Sequence, residues 1–137
     1  MQNEIVVLSN GVFDLFHYGH LMHLRAARKF GDRLVVSVTN DAFVNKGPGR
    51  PTFPVLHRAE ILRAMTEIVD EVICVDSLME ALIKVRPRVL VKGRDYVGRM
   101  DPIHEAYCAE HGIAIRMTDE PIISVTQIIH DRLRERQ

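Results

Sequence analysis

The sequence predicts an α/β fold: a five-stranded parallel sheet with helices on both faces. Three observations lead there. Short apolar runs alternate with amphipathic stretches along the whole chain. The apolar runs are continuous, not alternating apolar and polar, which marks strands buried on both faces. The length of 137 residues, with 47% hydrophobic and 26% charged, suits one compact domain, residues 1–137, with its own core.

Each element has its own signal. Residues 4–9, centred on Ile5-Val6-Val7-Leu8, read as the first buried strand. Residues 18–30 carry Leu21, Leu24 and Ala27 at helical spacing, and Gly31 is the expected stop. Leu34-Val35-Val36-Ser37-Val38 is the second strand, and a Gly/Pro loop spans Asn40 to Pro54. A helix over 55–67 bears Leu56, Ile61, Leu62 and Met65. Val72-Ile73-Cys74-Val75 is the third strand, and a helix over 77–86 stops before Pro87. Val89-Leu90-Val91 is the fourth strand. Asp101-Pro102 caps and opens a helix over 102–111. Ile113-Ala114-Ile115 is a short fifth strand, and a last helix covers 124–135. The reading is a Rossmann-like single domain without repeat, low-complexity segment or linker.

Composition narrows the function classes. Eighteen basic residues balance eighteen acidic ones, which argues against a general nucleic-acid or membrane binder. Any anion site is therefore local. Cys74 and Cys108 lack a CxxC partner and read as small buried or half-buried thiols of a reducing compartment. No signal-peptide pattern and no long apolar run is present, so a cytoplasmic, soluble protein is expected.

In parallel sheets of this kind, ligands sit beyond the carboxyl ends of the strands, where strand order reverses. The chemistry-bearing residues fall at those ends. After the first strand come Asn10, Gly11, Phe13, Asp14, His17, Gly19 and His20. His17 and His20 share a face of a helix start, where free N–H groups attract phosphate. Gly19 leaves room for a ligand to approach the backbone. Helix capping is the competing reading of the two histidines, and a zinc site is a third. Asp14 either ties down this turn or meets a metal through water.

Lys46 and Arg50 stand in the Gly/Pro loop, as a phosphate clamp or as part of a solvated turn. Arg58 lies in a helix's first turn, where a cation opposes the dipole, so a ligand or carboxylate partner is expected. Lys92, Gly93 and Asp95 follow the fourth strand, either flanking the cleft or forming an internal pair. Ser124 and Thr126 open the last helix, as caps or as phosphate donors. His23, His57, His104, His111 and His130 read as surface or packing histidines; Met22, Met65 and Met79 read as core or helix-face residues.

The run Asn10-Gly11-x-Phe13-Asp14-x-x-His17-x-Gly19-His20 resembles the HxGH nucleotidyltransferases, and the resemblance covers nearly the whole chain. Asn10-Gly11, Lys46-Gly47-Pro48-Gly49-Arg50-Pro51 and Lys92-Gly93-Arg94-Asp95-Tyr96 are similar to the heptose 1-phosphate adenylyltransferase group. His57-Arg58 resembles the family's helix-borne arginine that contacts nucleotide phosphates. Ser124-Val125-Thr126 resembles its closing Ser-Thr-Thr, with Val125 in place of the middle hydroxyl. Asp119-Glu120-Pro121-Ile122 lacks the Arg-Thr-Glu-Gly lead of the glycerol-phosphate enzymes.

The resemblance implies transfer of a nucleoside monophosphate from an NTP, ATP favoured, to a phosphorylated sugar such as heptose 1-phosphate, with pyrophosphate released. It implies catalytic roles for His17, His20 and Lys46, with Arg58 and Thr126 on the phosphates. It further implies Mg²⁺ carried by the phosphates, a homodimer, and a separate sugar kinase in the pathway. The alternatives are a CTP-dependent enzyme acting on a polyol phosphate such as glycerol 3-phosphate, and a non-catalytic nucleotide-binding module.

Overall fold

The computed structural model describes residues 3–120 and 125–136, without the side chain of Thr126. Five strands, β1 (Val6–Gly11), β2 (Arg33–Thr39), β3 (Glu71–Val75), β4 (Val89–Lys92) and β5 (Ala114–Met117), form one sheet in the order β3-β2-β1-β4-β5. Every pairing is parallel: Leu8 stands opposite both Val35 and Leu90. The order reverses between β1 and β4, which places the switch point at the carboxyl end of β1.

Five helices accompany the strands: α1 (Tyr18–Arg28), α2 (Val55–Arg63), α3 (Leu78–Val85), α4 (Pro102–Glu110) and α5 (Val125–Glu135). The pleat explains why the strands are apolar throughout. Val7, Leu34, Val36, Val38 and Val91 point to one face, where Leu24 and Ala27 of α1 and Ala59 and Leu62 of α2 cover them. Leu8, Val35, Val75 and Leu90 point to the other, beneath Ala81 and Leu82 of α3 and Cys108 of α4. Two cores therefore share one sheet, and the central strands are covered on both faces.

The boundaries shift in ways the packing explains. β1 runs on to Gly11, because Asn10 and Gly11 pair with Ser37 and Val38. α2 stops at Arg63, short of residue 67, as the chain turns to sink Val69 into the first core. Asp70 then accepts from Leu34 N at 2.8 Å, and its own N–H donates to Leu34 O at 2.9 Å. Gly31 is not the left-handed stop expected of it: α1 ends three residues earlier, at Arg28. Its hydrogen is needed for close packing, since a Cβ there would lie 2.6 Å from Ile5 O. α3 stops where Arg86 turns left-handed ahead of Pro87.

Candidate active site

The turn from β1 into α1 is held in an unusual backbone shape. Phe13 and Leu15 both have positive φ, 53° and 52°, a conformation that costs about 1–3 kcal/mol per side-chain-bearing residue. Asp14 between them fixes the turn. Its carboxylate accepts from Thr52 N (2.7 Å), Phe53 N (3.0 Å) and Arg50 Nε (2.9 Å). Burial works to raise the Asp14 pKa, but those two backbone N–H groups and Arg50 outweigh it and hold it below the usual value. Of the two readings of Asp14, the structure shows the tie.

That tie also settles Arg50. Its guanidinium pairs with Asp14 instead of lining the cleft. Arg58 is a larger correction to the expected phosphate contact. It is 1% exposed, and its guanidinium donates to Phe53 O (2.9 Å), Val12 O (2.8 Å), Thr39 O (2.8 Å) and Asp41 Oδ1 (2.5 Å). It staples the ends of β1 and β2 to the following loop, and it does not line the cleft. The carboxylate partner expected for it is Asp41.

His17 is the N-cap of α1. Its Nδ1 accepts from Gly19 N at 3.0 Å, while His20 Nδ1 accepts from His17 N at 3.2 Å. This is a capping box made of two imidazoles. The rings stack with centroids 3.9 Å apart, and Phe13 and Phe16 pack against His20. Capping and ligand binding are not rivals here. Because both Nδ1 atoms accept, each neutral ring carries its proton on Nε2 and is set as a donor. Burial lowers the pKa of both; for His20, with help from His17 and Lys46, it falls to about 4. Burial thus favours the neutral, donating form of both rings.

One cleft of about 310 Å³ opens at the switch point. Its wall on the β1 side holds Asn10, Gly11 and Phe13, then His17, Gly19 and His20 of α1, with exposed Lys46 from the loop after β2. Asn10 donates to Ser37 Oγ at 2.8 Å, which fixes its amide. The opposite wall holds Lys92, Gly93 and Asp95 after β4. Lys92 is buried, with Nζ 4.1 Å from the centre of the Tyr96 ring, and burial lowers its pKa to about 8 against a smaller opposing pull from Asp95. It forms no ion pair with Asp95 among the described residues.

Ser124 lies outside the described residues, as does the side chain of Thr126. Among the described residues no group of three or more His, Cys, Asp or Glu could hold a metal ion, so zinc has no cage there. No described helix is long and apolar enough to cross a membrane.

Sequence reasoning missed Thr39, Tyr96, Glu120 and His23 as cleft residues. Sequence gives His23 only as a surface or packing histidine; it is buried, and it lines the cleft. The signal was there: His17, His20 and His23 recur at three-residue spacing on one helix face.

The profile of the cytidylyltransferase-like family matches residues 8–131. The chain is 40% identical over 140 residues to the bifunctional protein HldE of Alcanivorax borkumensis, covering 98% of this chain and 29% of that protein. It is 46% identical over 99 residues to that of Erwinia tasmaniensis, covering 69% of this chain and 20% of that protein. The chain thus spans less than a third of these relatives. Among solved structures, it resembles the lipopolysaccharide core biosynthesis protein from Thermoplasma volcanium, with TM-score 0.72 and 27% identity over 88% of this chain and 100% of that one. A pantothenate synthetase from Thermus thermophilus, 13% identical, shares the fold at TM-score 0.60 over 86% of this chain and 56% of that one.

Proposed function

The chain belongs to the cytidylyltransferase-like family, and on that premise we propose that it transfers the adenylyl group of ATP to a phosphorylated sugar, specifically a sugar 1-phosphate such as heptose 1-phosphate. The observation that carries the reading is the pair of capping histidines. Their tautomers are set so that two Nε2–H donors serve one cleft with Lys46, at the N-terminus of α1.

In the proposed reaction, an oxygen of the acceptor phosphate attacks the α-phosphorus in line. The bond from that phosphorus to the bridging oxygen breaks, and the electron pair departs with pyrophosphate. A phosphate monoester carries about −1.5 to −2 charge near neutral pH, so no general base is required. His17 and His20 donate to the oxygens on which charge grows, and Lys46 faces the β,γ side. Neutral donors suit this task, because they need no proton transfer to act. Arg58 and Asp14 act from behind by fixing the turn.

Mg²⁺ fits as an ion brought by the triphosphate. It favours phosphate oxygens and water with one or two carboxylates, and the described residues offer no protein cage. It would neutralise triphosphate charge. The preference for ATP rests on the resemblance of Asn10-Gly11, Lys46-Gly47-Pro48-Gly49-Arg50-Pro51 and Lys92-Gly93-Arg94-Asp95-Tyr96 to the heptose 1-phosphate adenylyltransferase group. A homodimer and a separate sugar kinase supplying the acceptor complete the proposal.

The test is pyrophosphate release with ATP, CTP, GTP and UTP crossed against sugar 1-phosphates and polyol phosphates, with and without Mg²⁺. ATP with a sugar 1-phosphate is expected to lead. CTP with glycerol 3-phosphate in the lead would favour the cytidylyltransferase instead. Tight NTP binding with no pyrophosphate from any pair would favour a binding module.

A further inference from the structure

A polar chain runs from β1 to the end of β5 behind the histidine pair. His23 Nε2 lies 2.8 Å from Ser9 Oγ, and Nδ1 lies 3.0 Å from Thr118 Oγ1 and 3.2 Å from Glu120 Oε1. A carboxylate only accepts, so Nδ1 carries the proton and donates, while Nε2 accepts from the Ser9 hydroxyl. The order Ser-His-Glu has the layout of a nucleophile relay. Ser9, however, is fully buried within β1 and does not line the cleft, so its hydroxyl meets no ligand. What the chain does is hold Glu120.

Glu120 lines the cleft with a side chain only 10% exposed. Its Oε1 is engaged by His23, whereas Oε2 is buried with no hydrogen-bond partner among the described residues. A buried carboxylate oxygen left unpaired calls for a donor. Asp95 approaches the same place. A Cβ on Gly93 would lie 2.7 Å from Asp95 Oδ1 and 3.4 Å from Glu120 Oε1, so two carboxylates flank one bare glycine. Around Gly93 the β4–β5 wall of the cleft thus presents two carboxylate acceptors, opposite the donors His17, His20 and Lys46.

We propose that the Glu120 carboxylate, with Asp95 beside it, accepts hydrogen bonds from sugar hydroxyls of the bound ligand, its buried Oε2 turning toward the cleft as the ligand enters, and makes this wall the hydroxyl-reading part of the cleft. The two carboxylates disfavour a phosphate placed directly against them. A divalent cation lacks a third ligand among the described residues. Lys92 forms no ion pair with Glu120 among the described residues, and Glu120 Oε1 accepts instead from the neutral His23 ring. The proposal rests on the nucleotidyl-transfer reading for its two sources of hydroxyls, the donor's ribose and the acceptor's sugar.

Calorimetry on the whole chain separates them. One arm titrates ATP, 2′-deoxy-ATP and 3′-deoxy-ATP. The other titrates heptose and hexose 1-phosphates and their deoxy analogues. In one arm, loss of a single hydroxyl is expected to weaken binding at least about tenfold, since a site built to bond a hydroxyl strongly rejects the analogue lacking it. Glu120→Gln, which presents a donor where the acceptor stood, is expected to bring the parent ligand down to its deoxy analogue. Glu120→Asp, which withdraws the carboxylate by one methylene, takes its place if the Gln variant does not fold. Binding of every deoxy analogue within twofold of its parent by the unmodified chain overturns the proposal. So does a folded Glu120 variant that keeps full discrimination. Because both arms read binding, absence of pyrophosphate would sink the transfer reading and leave the hydroxyl result standing.

Discussion

Replacing Arg58 with Ala decides between two roles for that residue. If the guanidinium contacts nucleotide phosphates, the variant loses ligand affinity and keeps its stability. The structure predicts the reverse. Removing the side chain strips donors from the carbonyls of Val12, Thr39 and Phe53 and from the Asp41 carboxylate. Hydrogen bonds to a charged group contribute about 1.5–3 kcal/mol each, so a bare sum is about 6–12 kcal/mol. That sum is too high, because four bonds from one group are not additive and Asp41 is 47% exposed and rehydrates. Removing one partner of a buried charged pair costs about 3–5 kcal/mol, and that is the expected loss. At a chain of this size it lowers Tm by about 10–20 °C. Urea unfolding gives the free energy from midpoint and slope, and ATP calorimetry at low temperature gives affinity of the folded form. Arg58→Lys keeps the charge with one point donor and should lose about half as much. A loss below about 1 kcal/mol in Arg58→Ala, together with a tenfold or larger drop in ATP affinity, would refute the stapling role.

Four further outcomes follow from the geometry. His17→Ala or His20→Ala should lower pyrophosphate release by about 10²–10³ while ATP still binds; turnover within threefold of normal would refute their role as donors. His20 takes up its proton near pH 6.5 when unfolded but only near about 4 when folded, so the unfolded chain binds more proton between these values and stability present at pH 7 is lost as pH falls through them. The ceiling is about 3 kcal/mol, and about 1–2 after solvent screening of a partly exposed ring; an unchanged pH dependence of the urea midpoint in His20→Gln would count against it. Gly31→Ala should cost about 1–3 kcal/mol, because the new methyl meets Ile5 O at 2.6 Å, and a neutral result would mean β1 yields. Lys92, with its pKa near 8, should lose its charge as pH rises past that value, so ATP affinity should weaken above pH 8 in the unmodified chain and not in Lys92→Met.

The sheet was readable because burial on both faces writes itself as uninterrupted apolar runs, with no tertiary knowledge needed. The His17–His20 turn was readable because its members sit within four residues and the spacing carries the geometry. Arg58 was legible as a cation in need of partners. Its donors, however, reach back to Val12, 46 residues earlier, and no local pattern shows that pairing. His23 and Glu120 are 97 residues apart, and only the meeting of α1 with the end of β5 makes them neighbours. Sequence leaves Asp14 open between a turn anchor and a metal contact through water, because its partners Thr52 N and Phe53 N are backbone groups that leave no mark in sequence.

The imidazole cap has a consequence for how this protein can change over time. Residues serving a reaction are usually a liability to the fold, and discarding them often makes a protein sturdier. Here His17 and His20 close the first turn of α1 while offering Nε2–H to the cleft. A lineage that abandons the chemistry and lets these positions drift also frays the helix, at about 1 kcal/mol for each lost cap. Retaining the pair therefore has two independent grounds. An inactive descendant is expected to keep its histidines, or to refill them with Ser, Asp or Asn before any other residue type.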